Sequence, residues 1–314
     1  MKVVYFGTPR FAANVLSHLL QHGIDVVAVV TKPDRPQGRS AQLVPTPVKC
    51  VAEACIPPLP VFQPEVVSAP ECALLLEQFQ ADLFVVVAYG EIIKQHLLDM
   101  PKVACINLHG SLLPKYRGAA PIQRSIINGE TETGVTIIHM AKKMDAGDMI
   151  SIVKVPIGPN MTYGELEEAL CHAGSELLLQ TIRDFENGTP QRIPQDHALA
   201  TLAPKIELEN CQIDWKLSAN EIHNLIRGVN PHPGAWCLIK LKGQQKRLRV
   251  ISSEVVSIDS KGPCSQIVAN AKDGIVVNCG VGALRLLQIQ LEGKKPMSAQ
   301  DFMRGLSQDS FVML

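Results

Sequence analysis

The chain has 314 residues, 46% of them hydrophobic and 19% charged, which excludes a disordered chain and leaves room for two domains. Its 30 Lys and Arg balance its 30 Asp and Glu, so the chain as a whole does not advertise a polyanionic partner, and any basic surface must be local. No apolar run approaches the ~18 residues of a membrane span, and the start, MKVVYFGTPRF, lacks a signal-like apolar stretch.

KVVYFG, at the start, reads as a strand. Thr8 offers an N-cap and Pro9 a first helical position for a helix that Gly23 stops. DVVAVVT is the next strand, followed by a long polar loop, KPDRPQGRSAQLVP, and a second Thr-Pro cap at Thr46 that opens a helix to about Cys55. ADLFVVVAYG is strongly apolar, as for a strand buried on both faces. A helix over 91–98 leads to the strand VACINLHG, then to a helix AAPIQRSII and a strand TGVTIIHM. Thr162 and Glu165 form a capping box for one long helix stopped by Gly188. This alternation predicts an α/β domain over 1–189 with a doubly wound, Rossmann-like, mostly parallel sheet.

From residue 190 the texture changes. PQRIPQDHALATLAPKI carries no period and reads as a linker, 190–206. In 207–314, Ser218 and Glu221 form another capping box, and five short strand-like runs with Gly-containing turns predict a smaller barrel or sandwich. Lys240, Lys242, Lys246, Arg247 and Arg249 cluster around a turn at Gly243, either as a solvated edge or as a face for phosphates. Nine scattered cysteines, with no CxxC pair, read as free thiols in a reducing cytoplasm rather than as metal ligands.

The chemistry concentrates in two places. FGTPRFA has one glycine where a dinucleotide fingerprint has three, and Pro9 removes an N–H that a phosphate would use, so no NAD(P) is expected. Asn107 and His109 end an apolar strand and lie two apart, hence on one face, at the end of a parallel strand where ligands bind. Together they can hold a developing oxyanion; equally, an Asn can cap a turn beside a satisfied buried His. Asp145 and Asp148 flank Ala146-Gly147 after the next strand, either as ordinary turn chemistry or as a carboxylate returned to the histidine.

INLHGSLLPKYRGAAPIQRSIINGETETGVTI together with MDAGDM resembles the formyltransferases that use 10-formyltetrahydrofolate. FGTPRFA, TKPDRPQGR, APIQR and RGVNPHPGAW, with ATLAPKI and IDW between the domains, extend the likeness over essentially the whole chain and toward the branch that acts on initiator methionyl-tRNA. The resemblance implies Asn107, His109 and Asp145 as catalytic residues, and Ser111, Leu112, Leu113 and Pro114 as a folate-contacting segment. It also implies that Ala88 to Gly90 line the pteridine pocket, that Arg39 contacts tRNA, and that the second domain is an OB-like barrel for tRNA. Expected with it are 10-formyltetrahydrofolate as donor, initiator methionyl-tRNA as acceptor, no metal, no membrane, a monomer and a cytoplasmic location. The alternative within the family is a formyltransferase or hydrolase with a small-molecule acceptor, which would need neither the loop 32–45 nor the second domain. Two departures stand out: the loop reads Gly38, Arg39, Ser40, Ala41, Gln42 without the two lysines usual in the family, and Ala146 replaces a usual Thr.

Overall fold

The computed structural model describes residues 1–37, 42–188, 190–257, 262–268, 274–304 and 311–314. It divides into two compact units: Met1–Ala119, Glu132–Pro156 and Glu167–Ala203 in the first, Ala120–Thr131, Ile157–Leu166 and Pro204–Leu314 in the second. No helix among the described residues is long and apolar enough to cross a membrane.

In chain order the elements begin with β1 (Val3–Gly7), α1 (Arg10–Gln21), β2 (Val26–Val30), β3 (Arg35–Gln37), β4 (Gln42–Val44), α2 (Pro47–Glu53) and β5 (Val61–Phe62). They continue with α3 (Pro70–Glu77), β6 (Leu83–Val87), α4 (Gln95–Leu98), β7 (Ala104–His109), α5 (Pro121–Ile127), β8 (Glu132–His139), β9 (Met149–Pro156) and α6 (Tyr163–Asn187). Seven strands form one sheet in the order β5-β2-β1-β6-β7-β8-β9. The first five run parallel, and β8 and β9 are added antiparallel. The order reverses between β1 and β6, which opens a crevice at the carboxyl ends of those strands. Register aligns Gly7 with Val87 and Val87 with Leu108, so Thr8, the turn after β6 and the pair Asn107/His109 all emerge at that edge.

Burial explains the apolar runs. Val3, Val4, Tyr5 and Phe6 of β1 and Leu83, Phe84 and Val85 of β6 are wholly buried, because helices cover both faces of a parallel sheet. The Thr46 cap and the Thr162–Glu165 box form as the sequence predicts. Other elements differ. Thr8 does not cap α1; its hydroxyl donates to the Tyr89 carbonyl at 2.8 Å, tying β1 to the turn after β6, and Pro9 takes the cap position. The helix expected over 91–98 shrinks to α4, because Ala88 and Gly90 have left-handed φ of 46° and 90° and the chain turns there instead. The polar loop carries the hairpin β3–β4, whose tip, 38–41 with Arg39, lies outside the described residues. Strand β9 follows the Asp-Ala-Gly-Asp turn and pairs with β8, although its sequence has no clean alternation.

The stretch expected as a linker is not free. Residues 190–203 belong to the first unit, where Ile193 bridges Met149, Leu202 bridges Arg117, and the backbones of Arg117, Thr201 and Ala203 exchange hydrogen bonds. Polar composition hid this, since the ties run through backbone groups, the buried side chain of Gln195 and the polar side chains of His197 and Thr201.

The second unit contains α5, the stretch 157–166, α7 (Ala219–Gly228), β10 (Ala235–Leu241), β11 (Gln244–Val256), β12 (Ile275–Asn278), β13 (Ala283–Leu291), β14 (Met297–Ser298), α8 (Ala299–Arg304) and β15 (Phe311–Met313). Its antiparallel sheet runs β12-β13-β11-β10-β15, with β14 on β13. Register shifts between Val250 and Ser253 occur in the 13-residue β11, and the sheet curls into a half-barrel of the expected OB-like kind. Ser218 and Glu221 cap α7 reciprocally, and Ile222, Leu225 and Ile226 of that helix close one core with Trp215, Cys237, Ile239, Leu248, Val250 and Ile289.

Candidate active site

Strand β7 is apolar to its last turn because it lies in the middle of the sheet; Cys105 and Ile106 are buried, and burial pushes the Cys105 thiol up to about 12, so it stays a neutral core group. Asn107 is half-buried, and its side-chain amide makes no protein hydrogen bond among the described residues. His109, two residues on, is 6% exposed. Its Nε2 lies 2.9 Å from the Tyr116 carbonyl oxygen, which can only accept, so Nε2 carries a proton. Its Nδ1 faces Asp145 Oδ2 at 3.7 Å, a charge contact longer than a direct hydrogen bond. Both ring nitrogens therefore face oxygen atoms, Nε2 within hydrogen-bond distance and Nδ1 beyond it.

Asp145 reaches this position at a left-handed φ of 50°. The Gly118 N–H donates to its Oδ2 at 2.8 Å. Gly147 makes the turn possible, since a Cβ there would lie 1.7 Å from the His139 carbonyl oxygen. Asp148 faces elsewhere; its carbonyl accepts from the His139 N–H. His139 ends β8 behind this loop, and burial, with Arg192 nearby, holds its pKa below the usual value. The structure thus brings Asn107, His109 and Asp145 to one strand end.

The segment 111–114 sits on β8. Ser111 is wholly buried, its hydroxyl donates to the Lys115 carbonyl at 2.7 Å, and its own carbonyl accepts from Thr136 Oγ1 at 2.7 Å. Thr136 Oγ1 also accepts from the Leu113 N–H. The Ser111 side chain is thus spent within the loop, Leu113 is buried, Leu112 and Pro114 are partly open, and the Leu113–Pro114 peptide is cis. Beside them the turn Ala88–Tyr89–Gly90 leaves Ala88 and Gly90 exposed while Tyr89 is buried; burial and the nearby Glu91 raise its phenol pKa.

Sequence reading missed what holds this site. Gln195 is the single buried residue between 191 and 199. Its Nε2 donates to the carbonyls of Asp145 (2.9 Å) and Gly147 (2.7 Å), and its Oε1 accepts from Arg117 Nε (3.1 Å) and Nη2 (2.6 Å). Arg117 is 5% exposed and also donates to His197 Nδ1 at 2.9 Å. No periodic signal marks Gln195; the one hint is a glutamine repeated in PQRIPQD. Arg39 lies outside the described residues. Among the described residues no group of three or more His, Cys, Asp or Glu could hold a metal ion.

In the second unit, cross-strand register sorts the basic cluster. Trp236 pairs with Arg249, Leu238 with Arg247 and Lys240 with Gln245, placing Lys240, Arg247 and Arg249 on one face. Lys246 pairs with buried Ile239 and lies on the other, core-side face, so the five cations do not form one strip. Arg247 stacks 4.2 Å from the centroid of the Trp236 ring, and Arg249 donates to the Pro231 carbonyl.

The profile described as "Formyl transferase" matches residues 1–182, and that described as "Formyl transferase, C-terminal domain" matches 205–307. The chain is 59% identical to the "Methionyl-tRNA formyltransferase" of Protochlamydia amoebophila over 100% of its own length and 98% of that protein. It is 47% identical to the protein of the same name from Chlamydia pneumoniae, over 97% of this chain and 95% of that one. Among solved structures it resembles an N-formyltransferase from Helicobacter canadensis, described as a complex with folinic acid and dTDP-3-aminofucose, with a TM-score of 0.66, 21% identity and coverage of 91% of this chain and 98% of that chain.

Proposed function

The chain belongs to the formyl transferase family, and from that premise we infer that it transfers the formyl group of 10-formyltetrahydrofolate to the α-amino group of methionine on initiator tRNA, giving N-formylmethionyl-tRNA for translation initiation. The observation that carries this reading is the near-complete, 59% identical match to a methionyl-tRNA formyltransferase in both domains. The test is incubation with 10-formyltetrahydrofolate and methionylated initiator tRNA, then deacylation and assay of formyl-methionine. Failure to form it, with a small amine formylated instead, would overturn the acceptor.

In the reaction the amine lone pair attacks the formyl carbon, charge develops on the formyl oxygen, the bond from carbon to N10 breaks, and N10 leaves with a proton while the amine gives one up. Asn107 is the donor for the oxygen, because its amide has no hydrogen-bond partner among the described residues. His109, held between the Tyr116 carbonyl and Asp145, serves chiefly as a fixed positive charge beside that oxygen. Asp145 keeps the imidazolium charged and, through a water, can take the proton of the attacking amine. Leu112, Leu113, Pro114 and backbone of the Ser111 loop are assigned to the folate, together with the Ala88–Gly90 turn. Positioning of two large substrates supplies much of the remaining rate.

Residues 1–189 are proposed to carry the folate chemistry and 207–314 much of the tRNA binding, with Arg39 positioning the acceptor end. Lys240 and Arg247 lie exposed on the outward face of the β10–β11 hairpin, the face opposite that of Lys246. Changing both to Gln should weaken all tRNAs alike and reduce the slope of log affinity against log salt by about one to two units. Lys246→Gln alone should leave the slope nearly unchanged, and Arg39→Ala should lower kcat/KM for initiator tRNA by more than it weakens binding. Binding isotherms and single-turnover transfer at several salt concentrations test all three.

Full activity is expected after removal of metals, apart from Mg²⁺ that folds the tRNA, and without NAD(P). Stoichiometric zinc whose removal abolishes turnover would contradict this. The reading places the enzyme in the cytoplasm as a monomer, which sedimentation of the purified protein checks.

A further inference from the structure

We propose that Gln195 is a positioning residue of the formyl-transfer site, setting Asp145 against His109 from a segment that supplies no reacting group. The inference rests on the catalytic reading of Asn107, His109 and Asp145 and adds a residue to it. Four observations carry it. Gln195 is buried while residues 191–194 and 196–199 are exposed, so the chain spends one turn of solvent-facing backbone to put a single amide inside. The nitrogen end of that amide faces the loop: its two N–H groups hold the carbonyls of Asp145 and Gly147, the two residues at which the loop is conformationally most demanding. The opposite end of the amide is gripped by two guanidinium nitrogens of buried Arg117, which fixes which end is oxygen and which is nitrogen. Finally, Arg117 lies between Tyr116, whose carbonyl orients His109 Nε2, and Gly118, whose N–H orients Asp145 Oδ2.

Gln195 thereby ties the two halves of the site into one hydrogen-bonded frame. The 115–118 loop reaches His109 and the Asp145 carboxylate directly, and Gln195 couples the Asp145 backbone to the same loop through Arg117. The downstream residues strengthen the frame: the Arg117 N–H donates to the Thr201 carbonyl, the Ala203 N–H donates to the Arg117 carbonyl, and the Tyr116 N–H donates to Thr201 Oγ1. A Cβ on Gly118 would lie 2.7 Å from the Ala203 carbonyl oxygen, so the two strands of this brace run in close contact. A glutamine suits the task because one planar group must accept from a cation on one side and donate to two carbonyls on the other. A glutamate keeps the first function and loses the second.

The experiment compares the wild-type protein with Gln195→Glu and with Asp196→Ala. Asp196 is exposed and only caps the short turn after it, accepting from the Ala198 N–H, so its loss perturbs the same segment without touching the frame. For Gln195→Glu the expected result is a kcat lower by about 10- to 100-fold, since misplacement by about 1 Å costs on that order. KM for methionyl-tRNA and the Kd of 5-formyltetrahydrofolate, a folate that binds without transferring, should stay within about threefold, as for a change confined to transition-state geometry. Asp196→Ala should keep near-wild-type kcat. Should Gln195→Glu fail to fold, Gln195→Asn, which keeps the amide but is one methylene too short to reach both sides, should show the same split. Wild-type-like kcat in the folded Gln195 variant, an equal kcat loss in Asp196→Ala, or a folate Kd weakened in parallel with kcat would each overturn the inference. Absence of transfer by the wild type would instead overturn the reaction assigned to the site.

Discussion

His109→Ala and Asn107→Ala are each expected to lower kcat by roughly 10²–10⁴-fold, the range for losing an acid–base group or an oxyanion donor. The two should differ in their side effects. The Asn107 side chain has no hydrogen-bond partner among the described residues, so its truncation removes chiefly what it gives to substrate, and the melting temperature should hardly change. His109 is buried and its Nε2 donates to the Tyr116 carbonyl, so truncation also strands an acceptor, at about 1–3 kcal/mol of stability. Steady-state kinetics beside thermal unfolding separates these outcomes. A folded His109→Ala protein that turns over at the wild-type rate would remove the histidine from the chemistry.

Asp145→Asn should lower kcat by roughly 10²–10³-fold while leaving the fold intact. The substitution isolates charge from shape. Asn tolerates the left-handed φ of 50° that Asp145 adopts, and its amide oxygen can keep the bond from the Gly118 N–H. What disappears is the negative charge 3.7 Å from His109 Nδ1, the electrostatic partner that the proposed mechanism gives the ring. Asp145→Ala adds loss of the Gly118 contact and should be worse in both kcat and stability. If Asp145→Asn matches the wild type while Asp145→Ala does not, the aspartate acts only as a loop tie and the imidazolium mechanism is wrong.

Local signals were legible wherever a short-range rule decides the outcome. The Thr46, Thr162 and Ser218 caps form because each depends on three or four consecutive residues. The strands β1, β2, β6 and β7 were readable as apolar runs because central parallel strands bury both faces. Edge and antiparallel elements were harder: β9 is only partly buried, so its sequence shows neither a continuous apolar run nor a strict alternation. The hairpin β3–β4 is three residues a side, with Arg35, Pro36 and 42–44 exposed, below the length at which pattern speaks. The Thr8 cap failed for a different reason. A hydroxyl can cap its own helix or bond a neighbouring strand, and the Tyr89 carbonyl 81 residues away was nearer to hand in the folded chain.

The sequence by itself determined the alternation of strands and helices, the change to a β-rich second half, and the strand-end pair Asn107 and His109. These follow from residue type and spacing, and the family motifs added Asp145 to them. Only the tertiary structure decided how the site is held. Gln195 meets Asp145 across 50 residues and Arg117 across 78, and such contacts leave no period in the chain because a hydrogen bond needs proximity in space, not regular spacing. The same holds for the basic cluster: five cations in ten residues read as one strip, but a strand turns successive side chains to opposite faces, and the hairpin register sends Lys246 away from Arg247.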